Sequence, residues 1–208
     1  MPKTVRILGM STNLGEMPPS PKGVEVWPSN DPRGYRIRHP RVLVTDEWTR
    51  WFNLHSRSHM QVTYPAGLDW YKCLDGSRPI YTQKFWSDIP GCTEFPRQLI
   101  QETFATSKGP NRYFTCSVCW LVAFAILEGF ERIELWGFQL SYRKPNEAYK
   151  FERPCFFYWV QEARNRGIEV WYQKEIESLP YEPGDAESYE GTLYGFETKP
   201  EEPPIILL

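Results

Sequence analysis

Histidine is scarce in this chain, three residues in 208, and the five cysteines are an odd number. An odd count does not suit a disulfide framework, and the expected intracellular setting keeps thiols reduced. His55 and His59 stand four apart, but no HExxH pattern surrounds them, so no metal centre is expected. The chain also lacks a GxGxxG fingerprint and a Walker sequence. GMSTNLG is too poor in glycine to read as a dinucleotide loop, which disfavours NAD. Net charge is small, −2 with a pI near 6.0, unlike a protein that coats nucleic acid non-specifically. The opening residues hold no long apolar stretch before a small-residue cleavage site. The most apolar run, 116 to 127, is too short for a membrane span, so a cytoplasmic location and no membrane partner are expected. There is no internal repeat.

What is present favours a packed domain. Hydrophobic residues make up 41% and aromatics 16%, with nine tryptophans, which supplies a core despite a mean hydropathy of −0.54. One domain is expected over residues 1 to 175. Beyond it, residues 176 to 208 turn to Pro, Gly, Glu and Ser, and read as an arm that packs back through Tyr194 and Phe196. Its terminal IILL could dock on a second copy of the chain.

Short β-rich runs end in loops at Gly9 (residues 4 to 8) and at Asn30 (residues 24 to 27). The prolines of EMPPSPKG between them exclude a long helix. Further strands are predicted over 41 to 45, 49 to 55 and 79 to 83, a loop over 64 to 78 with a short turn near 68 to 74, and a helix over 95 to 104. Thr115 or Ser117 can cap a buried helix reaching Leu127, stopped by Gly129. A strand over 133 to 136 ended by Gly137, a helix over 155 to 166 stopped by Gly167, and a strand over 168 to 172 follow. This alternation predicts the α/β class, with a Rossmann-like open, mostly parallel sheet and covering helices.

Such sheets bind ligands beyond the carboxyl ends of their strands, where loops and helix N-termini offer N–H groups. That rule selects Gly9, Ser11, Thr12, Asn13, Asn30, His55, Thr115, Ser117, Gly137 and Gln139. A histidine at a strand end can act as a general base or bond a nucleotide, or serve structure alone. Glu147, Tyr149, Glu152 and Arg153 follow the strand ended by Gly137 and could close over the pocket, Arg153 as a phosphate fork. They equally suit a solvated helix start. The Cys116–Cys119 pair invites a zinc or redox reading, but no second ligand pair exists and core cysteines fit better. Residues 33 to 59 carry Arg33, Arg36, Arg38, His39, Arg41, Arg50, His55 and Arg57 against Asp46 and Glu47, either a solvated strand-and-loop face or an anion or polynucleotide surface.

The stretch YFTCSVCWLVAFAILEGFERIELWGFQL resembles a conserved segment of bacterial sialyltransferase-like proteins and of small bacteriophage proteins related to them. ILGMSTN, EVWPSN, TRWFNLH, EAYKFERPCFFYWVQEARNRGIEV and LYGFE resemble further segments of that family, in the same order. The resemblance implies a sialyltransferase-like fold that holds a nucleotide or nucleotide sugar, the donor being a substrate, with no metal and no separate cofactor. It implies that Ser11, Asn13, Asn30 and Ser117 touch the nucleotide and that His55 faces the transferred group or acceptor. Two positions depart from the pattern: Gln139 stands where the family has Asp, and Glu152 where it has Gln. The expected function is metal-independent glycosyl transfer, in a phage setting to a modified base of phage DNA in the host cytoplasm. The alternatives are a non-catalytic nucleotide-binding module and a structural protein whose pocket has decayed.

Overall fold

The computed structural model describes residues 2–33, 35, 47–105, 113–140, 148–174 and 176. Among these, the strands are β1 (Thr4–Leu8), β2 (Glu25–Pro28), β3 (Trp51–Asn53), β4 (Ile80–Thr82), β5 (Cys92–Glu94), β6 (Arg132–Trp136) and β7 (Glu169–Tyr172). The helices are α1 (Arg57–Thr63), α2 (Pro65–Lys72), α3 (Arg97–Thr103), α4 (Ser117–Leu127) and α5 (Ala148–Asn165).

Among the described residues every strand pairing is parallel, in the orders β2-β1-β6-β7 and β3-β4-β5. A parallel bridge from Ser29 to Phe52, and a bond from the Asn30 N–H to the Phe52 carbonyl at 2.8 Å, join the two sets. The sheet therefore reads β5-β4-β3-β2-β1-β6-β7. From β1 the chain steps outward to β5, then crosses back to lay β6 on the other side of β1. The strand order reverses between β1 and β6, as in an open Rossmann-like sheet. The expected fold class is the observed one.

Central parallel strands are covered on both faces and so are rich in apolar residues. All five residues of β1 are buried. Two charges nonetheless face each other across the centre: Arg6 Nε donates to Glu134 Oε2 at 2.8 Å. Arg6 also donates to the carbonyls of Pro18 and Pro19 at 2.9 and 3.2 Å. These bonds satisfy a guanidinium that burial alone would penalise heavily. The proline-rich crossover thus supplies carbonyls in place of a helix; it contains only a 3-10 turn, Thr12–Glu16, as the prolines predict.

Helix α4 is buried from Ser117 to Ile126 and packs against α5 and β1. Phe124 stacks on Trp27, and Phe130 meets the same indole edge-on. A second cluster gathers Tyr35, Trp48 and Tyr71 around Trp51.

The structure corrects several boundaries. The strand predicted over 49 to 55 holds only residues 51 to 53, because Ser56 caps α1 by accepting the His59 N–H at 3.1 Å. The loop predicted over 64 to 78 contains α2, which starts on Pro65 and buries Leu68 and Tyr71. Helix α5 begins at Ala148 rather than Cys155 and continues through Pro154. Strand β5 carries no apolar alternation and was not foreseen in the sequence. The strand predicted over 41 to 45, and the arm beyond Ile176, lie outside the described residues; Ile176 itself is buried.

Gly129 ends α4 with φ +71°, and a Cβ there would meet no atom of the described residues within 4 Å. Gly129→Ala isolates the cost of left-handed backbone from any clash. It should lower stability by about 1 kcal/mol, read by urea unfolding.

Candidate functional site

A pocket of about 350 Å³ opens where β1, β2 and β6 give way to loops, next to the first turn of α4. Gly9, Ser11, Asn30, Ser117, Gly137 and Gln139, selected from the sequence by the strand-end rule, all line it. Sequence reasoning missed Met10, Ser29, Cys116, Val118, Phe138 and Leu140 as wall residues. Glu152 also lines the pocket; the sequence placed it near but favoured Arg153. A concavity of the same volume lies at the opposite end of the sheet, between Gly129 and Ile168. It faces the amino ends of β6 and β7, and its Arg166 is paired with Glu162 at 2.8 Å.

The crevice exists because two strand ends lack side chains. A Cβ on Gly9 would overlap the Gly137 carbonyl and the Phe138 ring. Gly137 has φ +74°, and a Cβ there would sit 2.9 Å from the Gly9 carbonyl and from Leu14 Cβ. Backbone bonds fix the approach: the Gly9 N–H donates to the Trp136 carbonyl, and the Ser11 N–H to the Gly137 carbonyl, each at 2.8 Å. The Gly137 N–H donates to Gln173 Oε1 at 2.8 Å, and Gln173 is held in turn by Glu16 at 3.2 Å.

Asn30 is held in the left-handed region, φ +66°, which asparagine tolerates better than most residues. Its carbonyl accepts from Tyr71 OH at 2.8 Å and from Trp51 Nε1 at 2.9 Å, while its N–H bonds across to β3. The backbone is thus pinned on both sides. Its side-chain Oδ1 is buried with no hydrogen-bond partner among the described residues. A buried acceptor without a donor is costly, and a ligand that brings a donor would relieve it.

The expected cap of α4 is corrected by one residue. The N-cap is Cys116, whose φ and ψ are extended, and its side chain makes no capping bond. Ser117 is the first helical residue, and Thr115 lies outside the pocket wall against Cys155. The first-turn N–H groups and the positive helix end therefore face the pocket without a side-chain cap. Anions bind such helix ends.

Cys116 and Glu152 are the ionisable side chains on this wall. Burial pushes the Glu152 carboxyl up to about 7. Helical periodicity explains this: Glu152, itself half-buried, heads the stripe Cys155, Phe156, Trp159 and Ala163, which are buried. A carboxyl at the head of an apolar stripe was the sequence signal for it.

His55 follows β3 and is not on this wall. Its ring stacks on His59 with centroids 4.6 Å apart and lies 5.8 Å from Tyr64. Burial, with the His59 ring adding to it, pushes its pKa down to about 4, so it is neutral at pH 7 and a weak proton acceptor. Arg153 is buried against Phe157, off the wall. Thr12 and Asn13 belong to the 3-10 turn and Tyr149 to α5, their side chains outside the described residues, as is all of Glu147. In the basic run, Arg33 pairs with Asp31 at 2.7 Å, Arg50 with Glu25 at 2.8 Å and Arg57 with Asp88 at 2.6 Å.

Among the described residues no three His, Cys, Asp or Glu side chains are grouped to hold a metal ion, and no helix is long and apolar enough to cross a membrane. No protein-family model matches the chain, and no curated protein does. Among solved structures, the chain is similar to the sialyltransferase CstII from Campylobacter jejuni in complex with a substrate analogue, cytidine-5'-monophosphate, at 11% identity and a TM-score of 0.40, over 87% of this chain and 85% of that one.

Proposed function

We propose that the pocket between the ends of β1 and β6 holds the nucleotide of a nucleotide sugar, and that the protein transfers the sugar to an acceptor hydroxyl. The observation that carries this reading is the pairing of two unmet demands on one wall. Among the described residues Asn30 Oδ1 lacks a donor, and the α4 N-terminus, without a side-chain cap, favours an anion. A nucleotide supplies both, a base amino group or sugar hydroxyl for the first and phosphate for the second. The sequence motifs shared with sialyltransferase-like proteins point the same way.

In transfer by direct displacement, the acceptor oxygen attacks the anomeric carbon as the bond from that carbon to the phosphate oxygen breaks. The electron pair leaves with the phosphate, towards the positive end of α4. The acceptor proton goes to Glu152, whose carboxyl is poised near neutrality on the same wall. This assigns to Glu152 the base role that the sequence gave to His55. Gln139, with no carboxylate where the resembled family has one, favours a second reading as a binding module without turnover. A base of phage DNA as acceptor has less support. It calls for free cations along residues 33 to 57, and Arg33, Arg50 and Arg57 are already paired.

A panel of nucleotides and nucleotide sugars, each assayed by thermal unfolding, tests the site. A ligand at about ten times its Kd adds about 1.4 kcal/mol of stability, which is roughly 3–6 °C for a chain of this size. A nucleotide sugar that stabilises the protein and is also turned over supports transfer, and stabilisation without turnover supports the binding module. No shift with any member of the panel overturns both. The same assay applied to Asn30→Ala should show about tenfold weaker nucleotide binding, the effect of about one lost hydrogen bond.

A further inference from the structure

Two thiols at the start of α4 remain outside this scheme. Cys116 occupies the N-cap and Cys119 the third helical residue, positions whose side chains meet over the first turn. Their sulfurs are 3.3 Å apart. Both residues are buried, but Cys116 keeps 6% exposure and lines the pocket, whereas Cys119 has none and lies behind it. The pair therefore has one residue on the pocket wall and one behind it, so a solute entering the pocket meets Cys116 before Cys119. Burial raises the Cys119 thiol well above the ordinary cysteine range, as befits a sulfur that reacts second.

We propose that Cys116 and Cys119 form a redox-active dithiol in the pocket wall, oxidised to an internal disulfide by small disulfides of the glutathione class that enter through the pocket. The Cys116 sulfur attacks one sulfur of the small disulfide, forms a mixed disulfide and expels one small thiol. The Cys119 sulfur then attacks Cys116 Sγ and expels the second. The two protons of the protein thiols end on the two released thiols, and the two electrons pass from the protein to the small disulfide. Closing the bond needs the sulfurs to approach from 3.3 Å to about 2.05 Å, a shift that side-chain torsion supplies. The inference does not depend on which ligand the pocket holds.

Three other cysteines provide internal controls. Cys73 is exposed, and Cys92 accepts the Trp86 N–H at 3.1 Å. Cys155, on α5, is buried and bonded to Thr115. The test treats the reduced full-length protein with glutathione disulfide and maps its thiols by non-reducing peptide mass spectrometry. The expected product is a Cys116–Cys119 disulfide that dithiothreitol reverses. Cys119→Ser should instead accumulate glutathione on Cys116. If both thiols stay reduced while exposed Cys73 becomes glutathionylated, or if Cys116 pairs with Cys155, the proposal is overturned. Because a serine on a buried helix can unsettle folding, the wild-type map decides the matter alone. A second wild-type readout is alkylation by iodoacetamide, with Cys116 expected to react at least tenfold faster than Cys119. Equal rates also overturn the proposal.

Discussion

Glu152→Gln should slow sugar transfer by about 10²–10⁴-fold, the usual contribution of a general base, while nucleotide stabilisation of the folded protein persists. Gln keeps the shape of the side chain and loses only the capacity to take a proton. The pH profile separates this from a structural effect. With the carboxyl near 7, the wild-type kcat/KM should rise about tenfold per pH unit below that value and level off above it, and the variant should lose this rise. His55→Ala should leave most turnover intact, since His55 is off the wall and pushed down to about 4. If His55→Ala abolishes transfer and Glu152→Gln spares it, the base assignment is reversed.

The same carboxyl has a signature in stability. Its folded pKa is raised above the ordinary 4.5 of a glutamate, so between about 4.5 and 7 the folded state binds more protons than the unfolded chain. Stability then falls as pH rises through that window and is flat beyond it. Glu152→Gln should remove the slope, leaving the variant the more stable protein above pH 7. This can be measured by urea unfolding at pH 5 and pH 8, without any ligand.

Gly9→Val is the second large effect, a loss of about 3 kcal/mol, at the upper end of what overpacking a filled site costs. The new Cβ would overlap the Gly137 carbonyl and the Phe138 ring, and the added methyls must also find room. Backbone cannot yield as a flexible side chain can, so β1 and β6 would have to part at the pocket. Nucleotide stabilisation should vanish even at temperatures where the variant stays folded. Gly23→Ala provides the contrast: its φ of +87° is left-handed, but the space around it is empty, and its pocket should bind normally.

Much of this architecture was legible in the sequence. β1, β2 and β6 are short β-rich runs closed by Gly9, Pro28-Ser29-Asn30 and Gly137, and α4 is apolar on every side, so periodicity and punctuation sufficed. Applied to those strands and to the start of α4, the strand-end rule points to six of the wall residues. The misses have particular causes. α1 and α2 are short helices that gain most of their stability from burying Met60, Leu68 and Tyr71, a tertiary effect that composition hides. Pro154 concealed the first two turns of α5. Gly and Asn were visible because their chemistry is conformational. Glu152 was passed over in favour of Arg153, because its burial depends on which side of α5 meets the core.

The β1–β6 pairing also bears on how the protein comes into being. Arg6 and Glu134 are 128 residues apart, so when β1 has been synthesised its partner on that side does not yet exist. Until β6 arrives, one edge of β1 lacks the neighbour it has in the finished sheet, a row of backbone groups open to other chains. Closing so long a loop comes late and slowly. The ligand crevice, built from the two ends of that pairing, is therefore among the last features to be assembled, and a growing chain has no site to fill until Gly137 has reached Gly9.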